Sequence, residues 1–172
     1  MTTILTPADY RALAQLRYQV RRFLHFSEQA ARNSGLEPRQ HQLMLALKGL
    51  PEGVRPRIGE LAERLQIQHH STVELVNRLA SQDYVRRQRG NEDRREVLLA
   101  LTKKGERVLR VLSLHHQAEL LTLGPDLVAT LRRAMRAGKE QNGGIKIGAM
   151  MESRRQDRKN KRRKTREKNV EG

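Results

Sequence analysis

"RIGELAERLQIQHHSTVELVNRLASQDYVRRQRGNEDRREVLLALTKKG", residues 57–105, changes its apolar period twice. Ile58, Leu61, Ala62 and Leu65 recur at helical spacing and define one face of a short helix. After a break of about three residues, Thr72, Leu75, Val76 and Leu79 form the inward stripe of a second helix. Its outward set is His69, His70, Ser71, Val73, Glu74, Asn77 and Arg78. The segments "YVRRQR" and "EVLLAL" are β-rich and flank the turn-prone "GNEDRR", so they predict a hairpin. Thr102 is placed to cap the helix that follows.

Two short amphipathic helices in tandem are a candidate helix-turn-helix, whose second helix enters the major groove of DNA. Such pairs are also common in ordinary all-α cores. The hairpin separates these readings, because a basic β-ribbon directly after the second helix is a wing able to lie along the minor groove. Arg86, Arg87, Arg89, Arg94 and Arg95 supply the charge, against Glu92 and Asp93 near the tip. A narrow A·T-rich minor groove concentrates negative potential and favours arginine. Immobilising a free arginine costs up to about 2 kcal/mol of side-chain entropy. A bidentate carboxylate can hold the guanidinium beforehand. Asp93 is therefore expected to orient Arg95. The plainer alternative is a surface ion pair contributing about 0–1 kcal/mol.

Outward from this unit, Thr6, Pro7 and Asp9 suit the start of a long helix stopped at Gly35. Leu13, Leu16, Val20, Phe23, Ser27 and Ala30 should share one stripe of it, facing either a partner helix or the core. A second helix carries Pro38 in its first turn and Gly49 past its end. After Thr102 comes a long helix, expected to break at Gly124-Pro125 and resume until Gly138. These signals place one domain over 1–138, with long helices at about 7–34 and 103–138 and a candidate DNA-binding lobe at about 55–101. Residues 139–172 form a basic tail expected to be disordered.

The 172 residues carry a formal charge of +16 and no cysteine, and 37% of them are apolar. Residues 150–172 hold ten Lys/Arg against four Asp/Glu, and residues 1–149 hold 25 against 15, so the body is basic in its own right. Nucleic acid is the favoured partner on that balance. The missing cysteines exclude disulfides and thiol chemistry. No apolar run approaches the ~18 residues of a membrane span, and the N-terminus lacks a secretory pattern. A cytoplasmic protein is expected.

The chain resembles the MarR family of regulators in "IGELAERL", in "VELVNRL" at the recognition-helix position, and in "DRREVLLALTKKG". The last follows the family's Asp-x-Arg wing and its Leu-Thr-x-x-Gly approach to the next helix. The resemblance covers roughly residues 7–138. It implies a mainly α fold with a small β-hairpin wing, a winged helix-turn-helix dimer built from the first helix and the last two. It also implies binding to a pseudo-palindromic double-stranded site, and release by a small anionic or aromatic effector. The wing pair would be Asp93 and Arg95, and the major-groove candidates His69, His70, Ser71 and Glu74. Gln66 stands where many members have glycine, and Gln68 and His69 where Ser-Arg or Ser-Pro is frequent. Bidentate Arg–guanine pairing is lost there.

Some members of that family sense zinc through histidines of the second and fifth helices, which singles out His41 with His115 or His116. A zinc site needs three or four convergent ligands, so ordinary helix histidines are the expectation, with no metal and no cofactor. No P-loop, dinucleotide glycine pattern, HExxH or supported catalytic triad occurs, so no enzyme is expected. The function expected is a sequence-specific DNA-binding transcriptional regulator, a ligand-responsive repressor acting as a homodimer. The alternative is an RNA-binding or nonspecific nucleic-acid-binding protein driven by the tail.

Overall fold

The computed structural model describes residues 5–90 and 96–141, with side chains as far as 136. Helix α1 runs Pro7–Asn33. Thr6 and Asp9 close its N-terminus reciprocally: Thr6 N–H donates to Asp9 Oδ2 at 2.7 Å, and Thr6 Oγ1 accepts from Asp9 N–H at 3.3 Å. Gly35, at φ +75°, ends it as expected, and Leu36 N–H reaches back to the Ala31 carbonyl at 3.0 Å. Helix α2 spans Pro38–Lys48, α3 Ile58–Leu65 and α4 His69–Ser81. Strands β1, Val85–Arg89, and β2, Val97–Leu101, pair antiparallel with Val85 opposite Leu101 and Arg89 opposite Val97.

Helix α5, Lys103–Gln141, is one continuous helix, in contrast to the break expected at Gly124-Pro125. Proline removes one N–H and crowds the preceding turn, at a cost of about 3 kcal/mol in a helix interior. Here Leu123 and Thr130, on either side of Pro125, are both buried. Packing therefore anchors the helix across the defect, with α1 as its most extensive neighbour. Gly138 likewise lies within the helix, since a single glycine costs only about 1 kcal/mol.

One core unites the elements. Ala31 of α1, Leu43, Met44 and Leu47 of α2, Leu61 of α3, and Val76 and Leu79 of α4 meet Val85, Leu99, Leu109 and Leu112. The inward sets predicted for α3 and α4 are the ones that face this core. The stripe expected along α1 divides instead. Leu16, Phe23, Ser27 and Ala30 are half-buried, whereas Leu13 and Val20 are 46% and 41% exposed. A 27-residue helix turns more than one face toward neighbours, and α5 covers only one of them.

Candidate nucleic-acid interface

The turn between α3 and α4 is made by Gln66, at φ 55° and ψ 37°, a left-handed conformation that glycine adopts without strain. Ile67 N–H returns to the Ala62 carbonyl at 3.1 Å, which closes α3. Thr72 then anchors the first turn of α4, donating its hydroxyl to the Gln68 carbonyl at 3.2 Å while its side chain fills the core. This fixes which residues of α4 remain outside. His69, His70, Glu74, Asn77 and Arg78 are exposed, and Ser71 and Val73 are half-buried.

The outward set does not act as one face. His70, Glu74 and Asn77 follow one another at i, i+4 and i+7. Ser71, Glu74 and Arg78 line an open cleft of about 580 Å³ together with Arg32, Glu37 and Arg39 of the α1–α2 corner. The recognition helix thus presents one flank to solvent and one to a charged cleft.

The wing also sorts its arginines. Alternation places Arg87 and Arg89 on the face shared with buried Val85, and Arg86 on the opposite face. Arg87, paired in register with Leu99, donates from Nη2 to Asn77 Oδ1 at 2.5 Å, so strand and recognition helix are directly joined. Glu92, Asp93, Arg94 and Arg95 lie outside the described residues, and with them the proposed aspartate–arginine pair at the tip.

A carboxylate absent from the sequence-based site holds the other strand. Glu96, with its side chain only 8% exposed, accepts from Arg55 Nη1 at 2.8 Å and from Arg57 Nε. Beside it, Leu99 N–H donates to the Pro56 carbonyl at 2.9 Å. The available signal was an acid immediately before a β-rich run, with two arginines flanking a proline upstream. Nothing in the sequence paired them, because about forty residues intervene.

At the root of the wing, Thr102 caps α5 through Gly105 N–H at 3.1 Å and donates its own hydroxyl to the Asp83 carbonyl at 2.6 Å. Gly105 is required there, since a β-carbon would come within 2.1 Å of the Tyr84 carbonyl oxygen.

Of the histidines proposed as metal ligands, the fold brings together His41 and His116. Their rings stack with centroids 4.9 Å apart. His116 donates from Nδ1 to the Leu112 carbonyl, and its Nε2 shares a hydrogen bond of 2.7 Å with the Ser27 hydroxyl. Phe23 and Phe26 meet the same ring edge-on. His41 is buried, its Nε2 finds no hydrogen-bond partner among the described residues, and burial with neighbouring His116 lowers its pKa to about 4. His115, one helical step away from His116, is exposed. No group of three or more histidine or acidic side chains suited to a metal ion occurs among the described residues.

Residues 34–96 match the MarR family model. Among solved structures, the chain is similar to AbsC, a MarR family transcriptional regulator from Streptomyces coelicolor. That match has 24% identity and a TM-score of 0.62, and covers 81% of this chain and 97% of that one. A MarR family protein from Bacillus stearothermophilus aligns at 22% identity and a TM-score of 0.58 over 76% and 96% of the two chains. A mutant of MepR from S. aureus bound to an oligodeoxyribonucleotide aligns at 17% identity and 0.53, over 80% and 93%. A search of the curated proteins finds no match.

Proposed function

We propose that this chain is a member of the MarR family, since its residues 34–96 match the family's model within a similar fold, and that it is a sequence-specific double-stranded DNA-binding transcriptional regulator. The observation that carries the proposal is the joining of α4 to a basic β1. Arg87 links helix to strand, and the exposed residues His69, His70 and Asn77 of α4 and Arg89 of β1 lie on the two elements it joins. In this reading α4 contacts base edges in the major groove, and the wing places Arg95 in the flanking minor groove.

The same proposal makes the protein a homodimer. Tyr10, Leu13, Val20 and Leu24 of α1, and Leu121, Val128, Leu131 and Met135 of α5, are large apolar residues left exposed on a protomer. Such exposure marks an interaction surface. A second copy bringing its own α4 would read a pseudo-palindromic site. Ligand-responsive repression is the finer part of the proposal. A small anionic or aromatic effector entering the cleft, where Arg32, Arg39 and Arg78 alternate with Glu28, Glu37 and Glu74, would lie beside the recognition helix and alter its presentation.

The test is selection of duplexes from random sequence by the purified full chain, repeated with a chain ending at Gly138. A palindromic consensus with A·T-rich flanks retained by both chains is expected. Arg95→Ala should weaken binding by about 1–3 kcal/mol and relax the flank preference. Length-dependent retention without sequence preference, lost on removing the tail, would instead establish a tail-driven nucleic-acid binder.

A further inference from the structure

Glu96 holds an unusual position for an acid. It immediately precedes the second strand of a basic wing, yet its side chain is nearly enclosed by two guanidiniums of the segment linking α2 to α3. A two-stranded hairpin is marginal by itself, and its direction depends on what it packs against. Of the wing's strand residues, only Val85 and Leu99 are fully buried. The half of the hairpin nearer the tip therefore depends on polar attachments. On the β1 side the attachment is Arg87 to Asn77. On the β2 side it is Glu96 to Arg55 and Arg57, reinforced by the Leu99–Pro56 backbone bond. The Glu96 carbonyl also accepts from Gly90 N–H at 2.9 Å, so the residue closes the hairpin where the tip begins.

We infer that Glu96, clasped by Arg55 and Arg57, is the positioning residue that aims the wing relative to the recognition helix. The inference rests on the DNA-binding function proposed above. It has a sign that simple electrostatics does not share. Removing a carboxylate from a surface that meets phosphates should strengthen attraction. Removing one that sets the direction of a contact should weaken binding, and only where that contact is made.

The experiment compares the full chain with Glu96→Gln on two probes. One is a duplex selected by the unmodified chain, and the other is the same duplex with its flanks trimmed. About tenfold weaker binding is expected on the long duplex, equivalent to losing a contact of about 1.4 kcal/mol, with little change on the short one. Hydrogen exchange should quicken at 85–89 and 97–101 and stay unchanged in α1 and α5. Glu96→Asp keeps the charge but is one methylene shorter. It is expected to retain part of the clasp and show an intermediate, equally flank-dependent loss, so a poorly folding glutamine variant does not end the test. Equal or tighter binding by Glu96→Gln on the long duplex, or equal losses on both probes, would overturn the clasp alone. Failure of the unmodified chain to select any duplex would overturn the DNA-binding function and the clasp with it.

Discussion

Arg87 and Asn77, ten residues apart in sequence, share a hydrogen bond of 2.5 Å between the wing and the recognition helix. Each is a DNA-contact candidate, and each is already committed to the other. Their effects on DNA binding should therefore not add. In a double-mutant cycle with Asn77→Ala and Arg87→Met, fluorescence titration should give a coupling of about 0.5 kcal/mol or more. Strict additivity would show that DNA pulls the pair apart. In the free protein the pair is exposed, and its effect on unfolding should stay below about 1 kcal/mol.

Gly105→Ala should destabilise the protein by about 1–3 kcal/mol in urea unfolding, because the new methyl group meets backbone that must move. The obstacle is the Tyr84 carbonyl at 2.1 Å, which also accepts the Thr102 N–H at 3.1 Å. An unchanged unfolding midpoint would mean that α5 and the wing root can separate freely.

Gln66 occupies the left-handed region at φ 55°, where a side chain costs about 1–2 kcal/mol relative to glycine. Gln66→Gly should raise stability by up to about 1 kcal/mol after allowing for glycine's greater freedom when unfolded. Gln66→Val should lower it by more than that. Calorimetry of the three proteins gives the order directly, and a valine variant as stable as the parent would rule out strain at this turn.

His41 introduces a pH dependence of known sign. Its folded pKa of about 4 lies below the ordinary histidine value, through burial and the adjacent His116. Between these values the unfolded chain binds more protons than the folded one, so stability falls as pH drops through that window. The contribution is fully present above about pH 6.5 and lost by about pH 4, amounting to at most about 3 kcal/mol. Urea midpoints measured from pH 7 to pH 4 should fall more steeply for the parent than for His41→Phe. Parallel curves would show that His41 does not carry the effect.

Much of the site was legible because its signals are local. Thr6 and Asp9 announce the start of α1 within four residues, and the inward Thr72, Leu75, Val76 and Leu79 follow from helical spacing alone. The hairpin registers as two β-rich runs around a turn. Pro125 misled for the same reason: proline is a strong local breaker, and the packing of Leu123 and Thr130 that overrides it is not local. At Leu13 and Val20 the sequence left two readings open, because periodicity reports a face without saying whether that face meets the protomer's own core or something beyond it.

Sequence alone determined the order of elements as far as the last helix, the basic character of the hairpin and the inward sets of α3 and α4, since each depends on side chains within one or two turns of one another. Tertiary structure alone decided that Glu96 lies between Arg55 and Arg57, that Arg87 meets Asn77, and that His41 stacks on His116 while His115 stays outside. Those relationships join segments ten to about seventy-five residues apart. Their partners are chosen by how helices and strands pack, and charge or spacing along the chain does not encode that choice.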